Sequence, residues 1–342
     1  MQKHYKALVA ATAITLALSA CGTAEAPSDG ASDGPFKVGI AIIGQIGPVI
    51  STEEGFKEAF TKAGLVEGKD VVFIEKNAQG DQTVIPLMVK QLVQEKPDLI
   101  LSLGTPVTIA LAQETTTIPI IFGAMTDPVG AGVITANDAP GGNLTGTSDL
   151  LDPTILLNLV KDTVPNAKRV GIIANPGEQN SAVQLKALNE SAASYGFELI
   201  TAPVTTTADA IPAAMSLRGR VDAVILPQDN TVGEAFESIA KTLLDAGLPI
   251  IAANVDRVKD GAALVGLGVD YRGLGLLTGE QAVKVLKGEA SPKDTPVIFA
   301  NSPGGGGLKV AVNTAVASYL KITISESVVK DATVYDSSPL VK

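Results

Sequence analysis

The hydrophobic pattern changes character near residue 36. Beyond it, short apolar runs alternate with stretches in which apolar residues recur every three to four positions. The runs predict buried strands and the longer period predicts amphipathic helices. Strands are predicted at 38–43, 71–74, 99–103 and 119–122. Between the first two, Ser51 and Glu54 have capping-box spacing, Phe56, Ala59, Phe60 and Ala63 share one face, and Gly64 stops the helix. A second helix is predicted at 84–94, and Thr105-Pro106 opens a third with Thr105 as N-cap. The same order then recurs. Strands are predicted at 169–174, 198–202, 221–226 and 248–252, with helices at 181–195 and 209–217 and one opened by the box Thr231–Glu234. Gly39, Asp98 and residues 118–121 match Gly171, Asp222 and residues 248–251 at a nearly constant offset. Strand–helix alternation used twice predicts an α/β protein of two doubly wound, Rossmann-like lobes with parallel sheets.

The first 35 residues follow neither pattern. Lys3 and Lys6 precede an apolar run at 7–18 that is too short to span a bilayer. Leu18-Ser19-Ala20-Cys21 then forms a small-residue cleavage site. The tetrapeptide resembles a bacterial lipobox, which implies a signal peptide at 1–20 and lipidation of Cys21, with palmitate-type acylation. Residues 21–35, rich in Gly, Ala, Ser, Asp and Pro, read as a flexible tether.

Composition narrows the chemistry. A formal net charge of −10 argues against a nucleic-acid partner. The one His is His4 and the one Cys is Cys21, both in the leader, so the body has neither imidazole nor thiol. Ser-His-Asp triads, Cys-His pairs and His-ligated zinc are excluded. No enzyme activity, metal or cofactor is expected.

In open parallel sheets, ligands sit beyond the carboxyl ends of the strands. The loops there nominate Gln45, Thr105, Thr126 and Asp127 in the first half, and Asn180, Ser181, Asp229, Asn230 and Asn254 in the second. Helix starts at Thr105 and at Asn180 and Ser181 offer N–H groups to a ligand carboxylate, though all three can simply cap their helices. Asp229, with Asn230 beside it, is the expected ammonium partner. Asp127 sits in Thr-Asp-Pro, which also sets turns. Glu178 is expected to be exposed, Phe122 to belong to the core, and Asp270 to cap a helix.

Five segments carry a family resemblance: IPIIFGAMTDPVGAGV (118–133), GGNLTGTS (141–148), NPGEQNS (175–181), PQDN (227–230) and GLGVDYRGLGLLTGEQAVKVLKGE (266–289). In this order they resemble ABC-transporter substrate-binding proteins of the tryptophan/tyrosine-type lipoprotein group. The resemblance implies a type I periplasmic-binding-protein fold with three crossings, near 145–152, 266–271 and 300–309. It implies discontinuous lobes, 36–148 with 271–302 and 149–270 with 303–342. Tyr271, at the second crossing, joins the candidate ligand residues. The implied function is capture of an amino acid, leaning to aromatic ones, by a lipid-anchored receptor on the extracytoplasmic face of the cell membrane. Its implied partners are an ABC permease and the permease's ATPase subunit. A solute sensor feeding a signalling receptor, or a binding protein for a nucleoside or sugar, stays open at this point. The absence of Trp weakens the sugar reading.

Overall fold

The structure, a computed structural model, describes residues 34–302 and 307–341. The expected signal peptide, Cys21 and the tether up to residue 33 lie outside the described residues.

In chain order the first half forms β1 (Phe36–Ile42), α1 (Gly47–Lys62), β2 (Val71–Asn77), α2 (Ile85–Gln94), β3 (Leu99–Leu103), α3 (Thr105–Glu114), β4 (Ile120–Gly123) and β5 (Leu144–Ser148). The second forms α4 (Thr154–Thr163), β6 (Arg169–Ala174), α5 (Gln179–Tyr195), β7 (Glu198–Pro203), α6 (Ala210–Ser216), β8 (Ala223–Leu226), α7 (Asn230–Glu234), α8 (Phe236–Asp245), β9 (Ile250–Ala252), α9 (Asp256–Lys259) and β10 (Val265–Val269). Then follow α10 (Tyr271–Leu286), β11 (Ile298–Phe299), β12 (Leu308–Asn313), α11 (Thr314–Leu320), α12 (Glu326–Val329) and β13 (Thr333–Tyr335).

The strands make two sheets, ordered β11-β5-β4-β3-β1-β2 and β13-β12-β10-β9-β8-β6-β7. Every pairing is parallel except β10 with β12, which run antiparallel. β12 arrives from the opposite sheet rather than from a returning helix, so the helix-crossover rule does not fix its direction. Each sheet carries its own apolar core. The chain passes between the sheets three times: after β5, between β10 and α10, and between β11 and β12.

The repeated landmarks have equivalent physical roles. Asp98 accepts the Lys37 N–H at 2.8 Å, and Asp222 accepts the Lys168 and Arg169 N–H groups at 2.9 and 2.8 Å. Each carboxylate closes the start of the first strand of its unit. A Cβ on Gly39 would press against Leu92, and one on Gly171 against Leu217, the residue ending the corresponding helix. Pro119 and Pro249 each give a carbonyl to the neighbouring strand, at Ile100 and Val224.

Helix starts differ from the sequence expectation. α1 begins at Gly47, a turn before Ser51, because Pro48 fits the first turn and needs no N–H partner. Gly104, at φ +105°, is the N-cap of α3, which leaves Thr105 as its first helical residue. Asp229 caps α7, accepting the Val232 N–H, so the expected box at Thr231 does not form.

α10 starts at the second crossing yet lies along α1 of the first sheet. Glycines permit the approach: a Cβ on Gly55 would strike the Arg272 carbonyl, and one on Gly275 the Thr52 carbonyl. Gly275→Val should therefore cost about 1–3 kcal/mol by forcing the helices apart. Thermal unfolding should show a clearly lowered midpoint; an unchanged midpoint would refute this reading of the helix contact.

Candidate ligand cleft

The carboxyl ends of both sheets face one cavity, lined from both sides. Loops after β1, β3, β4 and β5 form one wall and loops after β6, β8 and β9 the other, with Tyr271 beside them. The walls also touch directly. Gln82, after β2, donates to Glu178, after β6, at 2.9 Å. Glu234 fits against Gly44 and Gly80, where any Cβ would crowd it.

Asp149 is the centre of the polar end. It follows β5 directly and is 5% exposed. Its Oδ1 accepts the Thr126 hydroxyl at 3.1 Å; its Oδ2 accepts Gln228 Nε2 at 2.9 Å and the Tyr271 hydroxyl at 3.0 Å. All these donors are neutral. Burial pushes the Asp149 carboxyl up to about 7, against the pull of the Tyr271 and Thr126 hydroxyls. The Tyr271 phenol is raised well above its ordinary value, by burial first and then by the Asp149 charge. Two amide oxygens on residues lining the cavity, Asn180 Oδ1 and Gln228 Oε1, are buried without a partner. Their amide nitrogens are used: Asn180 Nδ2 donates to the Gln228 carbonyl and Gln228 Nε2 to Asp149, which fixes the orientation of both groups.

Asp229 lines the cavity too, but its oxygens are spent within the protein. Oδ2 accepts the Asn175 N–H and the Ser181 hydroxyl, and Oδ1 accepts the Val232 N–H. Its carboxyl is nevertheless held above the usual range, by burial first and then by the neighbouring Glu178. Glu178 is not exposed as expected but buried at 1%, because loop closure brings it five donors: Gln82 Nε2, and the backbone and side chains of Asn230 and Thr231. Two buried acids thus organise the wall after β6 and β8.

Of the residues nominated by sequence, Thr105, Thr126, Asn180, Asp229, Asn230, Asn254 and Tyr271 line the cavity. Three do not. Ser181 is turned inward onto Asp229 and is fully buried. Asp127 closes a turn by accepting the Gly130 N–H at 2.9 Å. Gln45 is exposed and borders an outer groove, since α1 begins just beyond it. Sequence reasoning missed Asp149, Gln228, Phe236 and Arg257. Asp149 had a usable signal, being the residue just past a strand, but β5 is rich in Thr and Gly and shows no apolar run.

Because Asp229 ties three donors to one loop, Asp229→Ala should cost about 2 kcal/mol of stability or more. Urea unfolding measures this; an unchanged midpoint would remove the structural role assigned to its carboxylate.

Comparison with known proteins places this geometry. The family model described as ABC transporter substrate binding protein matches residues 37–335. A tyrosine-binding protein of Clostridioides difficile (strain R20291) is 35% identical over 260 residues, 76% of this chain and 75% of that protein. Among solved structures, the ABC domain from Streptococcus pneumonia in complex with L-Trp is 31% identical, with TM-score 0.82 over 88% of this chain and 100% of that one. A ligand-free, open substrate binding protein of Clostridium difficile is also 31% identical, over 89% of this chain and 100% of that one, but its TM-score is 0.64. Sequence divergence is equal in the two cases, so the present arrangement sits nearer the ligand-bound structure than the open one. Two α/β units joined by three crossings make the fold that of a type I periplasmic binding protein. The chain belongs to the ABC transporter substrate-binding protein family, whose members bind solutes rather than transform them.

Proposed function

We propose that the protein captures an amino acid with an aromatic side chain outside the cytoplasm and delivers it to an ABC importer. The observation that carries this reading is the Asp149 carboxylate, buried at the cavity wall with no positive charge beside it. A buried carboxylate gains most from a cationic donor. An ammonium has three N–H groups. Asn180 Oδ1 and Gln228 Oε1 are acceptors without a partner, and the three donors on Asp149 are all neutral. The ligand carboxylate then belongs at the start of α3, where Gly104 and Thr105 line the cavity and the side chain of neither caps the helix. The free N–H groups and positive end of α3 suit an anion. Ile46, Val232 and Phe236 supply an apolar wall for the side chain. A tyrosine-binding relative and a neighbour solved with L-Trp support the aromatic class.

In this reading the units move as lobes, 36–148 with 271–302 against 149–270 with 303–342. A ligand touching both favours the closed state by its differential affinity. The Gln82–Glu178 hydrogen bond and the seat of Glu234 on Gly44 and Gly80 form only when the walls meet. The closed form docks on a permease whose ATPase partner drives release, while acyl chains on Cys21 hold the protein at the membrane surface. Among the described residues no helix is long and apolar enough to cross a membrane.

Calorimetry with a panel of amino acids, nucleosides and sugars tests the ligand class. Heat from aromatic amino acids is expected, and heat from sugars alone would overturn the reading. Since the chain has no Trp, emission from bound L-Trp can be followed without background. Proton competition tests the role of Asp149. Its carboxyl rises from the ordinary 3.8 to about 7 on folding. The group therefore favours the folded state below 3.8, and that contribution is lost as pH rises through about 7. The ammonium needs the ionised form, so affinity should fall about tenfold per pH unit below about 7 and level off above it. Asp149→Asn should bind at least tenfold more weakly at pH 8 and show a flat profile. A flat profile in the unmodified protein would disqualify Asp149 as the ammonium partner.

A further inference from the structure

The cavity has two ends. The polar one is knit together by hydrogen bonds among Thr126, Asp149, Gln228, Asn180 and Tyr271. The other is apolar and is also knit by contacts. A Cβ on Gly233 would lie 3.4 Å from Ile46, and Arg257 stacks its guanidinium over Phe236, 4.4 Å from the ring centroid. Arg257 Nη2 donates to the Gly233 carbonyl at 3.1 Å, so this guanidinium belongs to the apolar end.

Arg257 is out of place there unless something meets it. Its side chain is only 14% exposed. A guanidinium offers five N–H donors in a fixed plane, and a buried cation is costly unless those donors find acceptors. Among the described residues one donor, Nη2, has a protein acceptor at hydrogen-bond distance. The nearest carboxylate, that of Asp260, stands 4.0 Å away and is largely exposed. Asp256, Glu237 and Glu234 also stand near enough to act on its charge, and Glu234 is turned onto Gly44 and Gly80. Stacking on Phe236 holds the plane of the guanidinium without using any N–H. Arg257 lines the cavity on one side and the outer groove beside Gln45 on the other.

We infer that Arg257 is a specificity-determining residue, donating to an oxygen at the far end of the ligand side chain and so selecting a phenolic amino acid over its deoxy or indole counterparts. The assignment rests on the amino-acid reading above, with the ammonium at Asp149. A phenol oxygen accepts hydrogen bonds, a phenyl ring has no such atom, and an indole carries only an N–H donor. A site built around a donor rejects analogues lacking its acceptor, because the polar group is then left unpaired. Phe236, Ile46 and Val232 flank the ring and reward any aromatic side chain.

Calorimetry of the full protein with L-tyrosine, L-phenylalanine and L-tryptophan, unmodified and as Arg257→Met, tests this. Met keeps the unbranched stem over Phe236 but has no donor. The unmodified protein should bind L-tyrosine at least tenfold more tightly than the other two. Arg257→Met should lose tenfold or more on L-tyrosine and stay within threefold on L-phenylalanine. Arg257→Gln, which restores one amide donor, should recover part of the difference and covers the case in which the Met variant fails to fold. Equal affinities for L-tyrosine and L-phenylalanine in the unmodified protein would overturn Arg257 alone, as would a variant weakened equally toward both. If none of the three amino acids binds the unmodified protein, the amino-acid reading falls and this assignment with it.

Discussion

A carboxylate withdrawn from water without a counter-charge organises this molecule's cleft. Asp149 stands where the chain first leaves the six-stranded sheet, and the Tyr271 hydroxyl reaches it from the second crossing. Two connections between the units thus meet at one oxygen atom. Neutral hydrogen bonds offset part of the loss of hydration, and the carboxyl is left with a raised affinity for protons. A group in that condition has the most to gain from a ligand cation.

The other buried acids show the contrast. Asp229 and Glu178 are as deeply buried, yet helix-start N–H groups, hydroxyls and amides saturate them. They use the cavity wall's own donors and hold its loops in register. Asp149 and Asp229 accept three donors each, but those on Asp149 are all side chains from three separate loops or helices, whereas Asp229 takes two backbone N–H groups and a hydroxyl of its own wall. Arg257 is the cationic counterpart at the apolar end: one protein acceptor against five donors. Both unbalanced groups face the same cavity, and neither is near enough in the hydrogen-bond network to neutralise the other.

Behind the cleft, a duplicated scaffold keeps the loops in place. Asp98 and Asp222 tie down equivalent strand starts, and Gly39 and Gly171 admit equivalent leucines. The exception to duplication is α10, which belongs to the second half by chain order and to the first sheet by packing. Its glycines let backbone meet backbone along α1, so Tyr271 is carried on a rigid element.

Alternating apolar runs and helical periods determined the α/β class, the duplicated order and most strand positions, because buried strands and amphipathic helices leave their period in the chain. The loops beyond those strands were legible for the same reason, and seven of the nominated positions reach the cavity. Roles within it were not legible. Sequence spacing cannot count the donors that converge on a carboxylate from elements far apart. Asp229 looked like the ammonium partner until Ser181, Asn175 and Val232 were seen to occupy it. Asp149 follows a strand without an apolar run, and Arg257 lies in a short helix with no distinguishing pattern. Their importance comes from desolvation and from missing partners, which are properties of the folded neighbourhood and of no local stretch of sequence.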